Sequence, residues 1–155
     1  MHRHFRNVQW PAPEIAKPEV LVPVLLTLLL VVSSVPMQLA WRAGGAGRVK
    51  AAWRFVAGAF VLQLGYLAWQ VHDWVDGIHA APPSRSTYSS IVTTMLGFGH
   101  AHVLLGLLID AWLLVQLARR FTPYRLVGLQ SAAFYWWAVS AISVAVLLTQ
   151  ESAHL

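Results

Sequence analysis

Four long apolar runs, separated by short polar connections, set the pattern of this chain. The runs cover residues 20–41, 53–72, 91–117 and 129–149. Each is close to the ~20 residues with which an α-helix crosses a ~30 Å hydrocarbon layer. Because the connections are short, consecutive helices should be antiparallel neighbours. The pattern predicts an all-α membrane protein built as an antiparallel four-helix bundle, with an N-terminal extramembrane segment at 1–19, a transmembrane domain at 20–149 and a C-terminal tail at 150–155.

Polar positions in the third run fall on one side of the predicted helix. At ~100° per residue, Gly99, His102, Gly106 and Asp110 lie within about 80° of one another. An ionisable group at membrane depth is costly unless it faces protein or water, and glycines let another helix approach closely. We therefore predict that this sector contacts a partner subunit and that His102 is a buried hydrogen-bonding residue. Proton handling by Asp110 is a second interpretation.

The second run also carries a polar face. Ala59, Gln63, Tyr66, Gln70 and Asp73 recur at intervals of three and four residues, which places them on one side of a helix. We interpret this face as a helix interface closed by hydrogen bonds. The alternative is a hydrated surface that leads protons toward a partner.

The first and fourth runs contain small and hydroxyl side chains that favour close helix packing. Pro36 lies well inside the first run and should bend that helix, because it removes one backbone hydrogen bond. Ser33 and Ser34 beside the bend are expected to satisfy freed backbone groups and to bond across helices. In the fourth run, Ser140 and Trp136 lie on a face rich in small residues.

Composition and charge support a membrane protein and limit its chemistry. Hydrophobic residues make up 57% and charged residues 11% of the 155 residues, whereas soluble domains carry about a quarter charged residues. The first nineteen residues lack a short apolar region with a cleavage site, so we predict no signal peptide. The chain has no cysteine, which excludes thiolate-held metals, Fe–S clusters and disulfides within it.

Basic residues are unevenly divided between the connections. Those after the first and third runs hold seven Lys/Arg, against four in the rest of the chain. Because cytoplasmic loops carry the excess of Lys/Arg, both termini are predicted to lie outside. The formal net charge of +5 comes from these short loops and does not form one stripe, so nucleic acid is not a predicted partner.

Histidines are the candidate metal or haem ligands of this chain. His100 and His102 are two residues apart and point ~160° away from each other on a helix, so they cannot ligate one iron together. The connection after the second run, predicted as a surface loop, holds a further group without a recognised metal-binding spacing: His72, Asp73, Asp76 and His79. We predict no catalytic, metal or cofactor residue in this chain, with an independent b-type haem cytochrome as the alternative.

Five motifs follow one another along residues 25–149. They are LLLVVSSVPMQLAWRA, WQVHDW, YSSIVTTMLGFGHAHVLLG, FTP and GLQSAAFYWWAV. In the same order they resemble LLxASSVxxxxAH, LQAxEY/W, YGSxFFxxTGFHGLHVxIG, HFT and GFEAAAWYWHFVD of subunit III of the haem-copper cytochrome oxidases. The third motif matches that family at Gly97, Phe98, His102, Val103 and Gly106.

Some positions differ from the family pattern. Asp73 stands on the family's glutamate, and Gly99 stands on its first histidine, with His100 one residue later. In the last helix the family's glutamate, histidine and aspartate become, in this order, Gln130, Trp137 and Ser140. The matched region begins near the fourth helix of the seven-helix family members.

The resemblance implies an accessory subunit of a terminal oxidase, without a redox centre of its own. Such a subunit packs on catalytic subunit I, contacts subunit II and other small subunits, and supports assembly, stability and proton uptake during oxygen reduction in aerobic respiration. Haem and copper are expected in those partner subunits, and bound phospholipid is a candidate ligand here. The expected place is a bacterial or archaeal plasma membrane.

The resemblance also gives the basic loops a partner. Five cations are expected to dock loops of subunit I or anionic lipid headgroups: Arg48, Lys50, Arg119, Arg120 and Arg125. An accessory protein of a quinol oxidase or of a nitric oxide reductase is the alternative host, because other subunits choose the electron donor and acceptor.

Overall fold

The computed structural model describes residues 21–80, 87–119 and 122–152, and this part of the chain is almost entirely helical. The helices are α1 (Leu21–Gly45), α2 (Val49–Ala80), α3 (Thr87–Arg119) and α4 (Pro123–Ser152). All four are long and apolar enough to cross a membrane. The predicted all-α membrane fold is therefore confirmed. The predicted N-terminal segment, the last residues of the tail and Arg120 lie outside the described residues, and the side of the membrane on which each end lies stays a prediction.

The end of α2 corrects one prediction. The stretch HDWVDGIHA, expected to be a surface loop, continues the helix to Ala80. Its polar residues are spaced so that they stay exposed, and Nδ1 of His72 lies 3.0 Å from Oδ2 of Asp76, four residues further along the helix. The next helix-breaking residues in the sequence are Pro82 and Pro83. Polar composition alone therefore did not indicate the end of α2, because a helix can carry charged side chains on its solvent-exposed faces.

A tight turn joins α1 to α2, as the glycine-rich sequence predicts. Gly47 adopts a positive φ of 71°, which suits glycine. The amide of Arg48 donates to the carbonyl of Ala43 at 2.9 Å and thereby caps the end of α1. This turn, together with the connection between α3 and α4, marks the end of the bundle that we call the basic end. The other end carries the end of α2 and the start of α3.

The helices form a ring in which each contacts the next along the chain and α1 also contacts α4. Contact is most extensive between α1 and α2 and least extensive between α3 and α4. The axis of the ring holds fully buried side chains that include Leu30, Met37, Val56, Leu113 and Trp136. Since lipid is as apolar as these side chains, close packing and interhelical hydrogen bonds hold such a bundle together.

Hydroxyl groups connect α1 and α4, and Ser34 makes the bond across helices that was predicted for it without a named partner. The Oγ atoms of Ser34 and Ser140 lie 2.9 Å apart, and both residues are buried. Ser34 Oγ also lies 3.3 Å from the carbonyl oxygen of Trp136. The serines beside Pro36 bond a different backbone group from the one that the proline frees: Ser33 donates to the carbonyl of Leu30 at 2.7 Å.

Candidate functional site

The most polar point inside the bundle is the carboxylate of Asp110 on α3. Asp110 is 0% exposed, and its Oδ2 accepts a hydrogen bond from Nε1 of Trp136 on α4 at 2.9 Å. Gln63 on α2, also 0% exposed, places an amide nitrogen 2.7 Å from the same oxygen when its amide is turned to donate. That orientation also lets Gln63 donate to the carbonyl of Ala59 at 3.1 Å. One carboxylate thus joins three helices.

Gly106, one turn before Asp110, is what allows this arrangement. A Cβ atom built on Gly106 would lie 2.5 Å from Cζ2 of Trp136 and 2.8 Å from its Cη2. The indole therefore lies directly on the backbone of α3, and no residue with a side chain fits there without displacing it. We call Gln63, Gly106, Asp110 and Trp136 the Asp110 hub.

The structure divides the sector that the sequence grouped on α3. Gly106 and Asp110 are buried against α2 and α4 of the same chain, while Gly99 and His102 are exposed. The helices of this chain leave His102 uncovered, and its Nδ1 donates to the carbonyl of Phe98 at 2.7 Å on the helix surface. Its predicted burial against a partner subunit stays a prediction. Helical periodicity defines a face correctly, but the neighbouring helices cover only half of this one. Gly106 and Asp110 therefore pack inside this chain and do not present a free docking surface.

The polar face of α2 is likewise covered along part of its length. Ala59, Gln63 and Tyr66 are buried, Gln70 is half-buried and Asp73 is exposed. The side chain of Tyr66 lies within hydrogen-bonding reach of Gln70. The predicted helix interface is thus present from Ala59 to Gln70, and it does not include Asp73.

A second polar cluster, which sequence reasoning missed, lies where the C-terminal part of α2 packs against the N-terminal half of α3. His100 is only 8% exposed, and its Nδ1 is hydrogen-bonded to the carbonyl of Leu96. Its ring packs against the indole of Trp74, with ring centroids 5.2 Å apart. The Cβ position of Gly97 lies 3.8 Å from Cζ2 of Trp74. With Gln70, one turn before Trp74 on α2, these residues form what we call the Trp74 cluster.

One signal in the sequence could have revealed this cluster. Gln70 and Trp74 are four residues apart, and Gly97 and His100 are three apart, so each pair shares a helix face. The pairs face each other only if α2 continues past His72, since a loop there would not hold Trp74 against α3.

The histidines do not converge on a metal site. Within the described residues, no group of three or more His, Cys, Asp or Glu side chains could hold a metal ion. His100 is buried and His102 is exposed, in keeping with their predicted separation around the helix. The geometry therefore gives no support to a pair of histidines on one haem iron in the described part of the chain.

Cations surround an open cavity of about 660 Å³ at the basic end. Arg48 and Lys50 line it, as does Arg54, which was not among the predicted docking residues. At the same end Arg119 is exposed, and the guanidinium of Arg125 donates to the carbonyl of Gln116. The predicted basic residues that the structure describes thus lie together at one end, with the side chains of Arg48, Lys50 and Arg119 turned outward.

Comparison with known proteins agrees with this architecture. The family model described as cytochrome c oxidase subunit III matches residues 6–149. The chain is 27% identical over 128 residues to cytochrome c oxidase subunit 3 of Corynebacterium diphtheriae, an alignment that covers 81% of this chain and 62% of the relative. It is 26% identical over 145 residues to a probable cytochrome c oxidase subunit 3 of Nocardia farcinica, covering 92% of this chain and 71% of that protein. The chain belongs to the cytochrome c oxidase subunit III family.

Proposed function

We propose that this chain is the accessory subunit III of a haem-copper terminal oxidase. It packs on catalytic subunit I and supports assembly, stability and proton uptake during oxygen reduction in aerobic respiration. The observation that carries the proposal is the family match, which runs through all four membrane helices. Haem and copper belong to the partner subunits, and electrons do not pass through this chain.

The use of polar groups inside the bundle supports a role without chemistry of its own. The carboxylate of Asp110 is enclosed by Gln63 and Trp136, so neither a substrate nor a partner side chain reaches it without opening the bundle. The hydroxyls of Ser34 and Ser140 face each other in the same way. These groups serve to hold helices together in a solvent where the hydrophobic effect does not.

The exposed part of α3 is the surface that we assign to a partner subunit. Gly99 has open space around its Cβ position, and His102 presents an imidazole within the membrane span. A polar ring that faces acyl chains is unfavourable, and a bare glycine backbone lets a helix approach closely. A helix of subunit I, or of a smaller subunit, can pack closely on Gly99 and shield the imidazole of His102 from the acyl chains.

The basic end supplies a second contact of a different kind. Arg48, Lys50 and Arg54 line one cavity, and Arg119 lies exposed at the same end. Among the described residues no carboxylate forms an ion pair with these side chains. They dock the acidic headgroups of the cytoplasmic leaflet or acidic loops of subunit I. This assignment places the basic end in the cytoplasm of a bacterial or archaeal cell and both chain termini outside.

Purification of the tagged chain from its native membrane tests the proposal. We expect a large subunit with haem and copper to copurify with it. Gly99→Leu fills the space that a partner helix needs, and a loss of ~1.4 kcal/mol in association would raise the Kd for the partner about tenfold and lower the copurified amount. Gly65→Leu is the matched control, because Gly65 is an exposed α2 glycine with equal open space. Purification of the chain with no haem-copper subunit, or equal yields for both variants, would count against the proposal.

A further inference from the structure

Buried polar atoms without a partner are concentrated at one interface. In the described part of the chain, the buried side-chain atoms that lack a protein partner are Gln70 Oε1, Trp74 Nε1, His100 Nε2 and Asp110 Oδ1. All four belong to α2 or α3, and three of them belong to the Trp74 cluster. Native interiors pair nearly all buried polar groups, so three unpaired atoms in one cluster indicate a missing common partner.

The three residues belong to the contact between α2 and α3. Gln70 and Trp74 are separated by one turn of α2, so their side chains point to the same side. The ring of Trp74 packs on that of His100, with centroids 5.2 Å apart and planes inclined by 34°. Each of the three atoms is shielded from the surface of the chain. A ligand shared by them must therefore be small and must lie between the helices.

The donor and acceptor pattern identifies that ligand. The indole Nε1–H of Trp74 can only donate, and Oε1 of Gln70 can only accept. The Nδ1 of His100 bonds a carbonyl oxygen, which can only accept, so this nitrogen is the donor. In the imidazole tautomer with its hydrogen on Nδ1, Nε2 is an acceptor. The cluster thus offers one donor and two acceptors. A water molecule has two hydrogens to donate and a lone pair to accept, whereas an anion cannot donate to the two acceptors.

We propose that Gln70, Trp74 and His100 hold one buried water molecule between α2 and α3. The water donates to Gln70 Oε1 and to His100 Nε2 and accepts from Trp74 Nε1–H. Three partners is the usual number for an internal water. Such a water joins the C-terminal part of α2 to the N-terminal half of α3, away from the Asp110 hub. The inference concerns this chain alone and stands independently of the proposed oxidase partners.

Solid-state NMR of the full chain in lipid bilayers tests the site directly. With ¹⁵N-labelled tryptophan, magnetisation transfer from a long-lived bound water to each indole N–H can be measured, and Trp74→Phe assigns its signal. We expect transfer to Trp74 and none to Trp136, whose indole donates to Asp110 and is the internal control. A Trp74 indole without water contact, or one bonded directly to Gln70 or His100, would overturn the proposal.

A double-mutant cycle gives a second test, because Gln70 also bonds Tyr66 and a single Gln70 variant loses that bond as well. Gln70→Met and His100→Phe are made singly and together, and the free energies of unfolding are compared. If one water bridges Gln70 Oε1 and His100 Nε2, the double change costs less than the sum of the two single changes, whereas strict additivity would contradict us. Gln130→Met, on α4 and likewise half-buried, is the matched control and should be additive with His100→Phe.

Discussion

Two tryptophans meet α3 in the same manner but with different results. Trp136 lies on Gly106 and donates to Asp110, four residues further along α3. Trp74, nearer the C-terminal end of α2, lies near Gly97 and packs on the ring of His100, three residues further along α3. The first indole is fully buried with its N–H paired to a carboxylate, and the second is half-buried with its N–H unpaired by protein.

The distance between indole and backbone accounts for the difference. The Cβ position of Gly106 is 2.5 Å from the Trp136 ring, while that of Gly97 is 3.8 Å from the Trp74 ring, which is ordinary van der Waals contact. The Trp136 indole is therefore pressed against the backbone of α3 with its N–H paired, whereas the Trp74 indole lies at van der Waals distance and its N–H has no protein partner. A tryptophan near a glycine thus holds helices together at Gly106, and at Gly97 it contributes to the proposed water site.

Removal of the two indoles should give the largest contrast. Trp136→Ala deletes a fully buried ring and removes one of the two donors to Asp110, so we expect it to lower the free energy of unfolding by about 3–5 kcal/mol. Trp74→Ala removes a half-buried ring and should cost less. Reversible unfolding of the chain in detergent, followed by circular dichroism, measures both. Equal losses would show that the two clusters do not differ as described.

Addition of a methyl group to the two glycines should give the next contrast. We expect Gly106→Ala to cost about 1–3 kcal/mol through overpacking, and Gly97→Ala to have little effect. The clash involves Cζ2 and Cη2 of Trp136, which phenylalanine lacks. Gly106→Ala combined with Trp136→Phe should therefore cost less than the sum of the two single changes. Strict additivity would mean that Gly106 is needed for some other reason.

The hydroxyl contact between α1 and α4 should give the smallest effect. Ser34→Ala removes one interhelical hydrogen bond, and such bonds in membrane proteins contribute about 0.6 kcal/mol on average. Ser131→Ala is the matched control, since Ser131 is an exposed serine on α4. If Ser34→Ala lowered the free energy of unfolding as much as Trp136→Ala does, the contact between α1 and α4 would stabilise the bundle more than the Asp110 hub.

The apolar runs predicted the membrane fold because length and hydropathy are properties of the sequence itself. The positions of α1 to α4 follow from them, and the Ser34–Ser140 contact follows from small residues on facing helices. The partner of Asp110 did not follow, because periodicity shows which residues share a face and not which helix covers it. His100 was missed for a related reason. It packs on Trp74 only because α2 stays helical past His72, and the sequence pattern did not predict that continuation.

A comparison of the oxidase complex with and without this chain tests the central claim, that the chain supports a reaction carried out by other subunits. Haem and copper content and the rate of oxygen reduction would be measured on both preparations at equal subunit I concentration. We predict that the complex lacking this chain keeps its haem and copper and still reduces oxygen, but assembles in lower yield and loses activity sooner. Loss of a stoichiometric haem together with the chain, or equal yield and lifetime without it, would contradict the account.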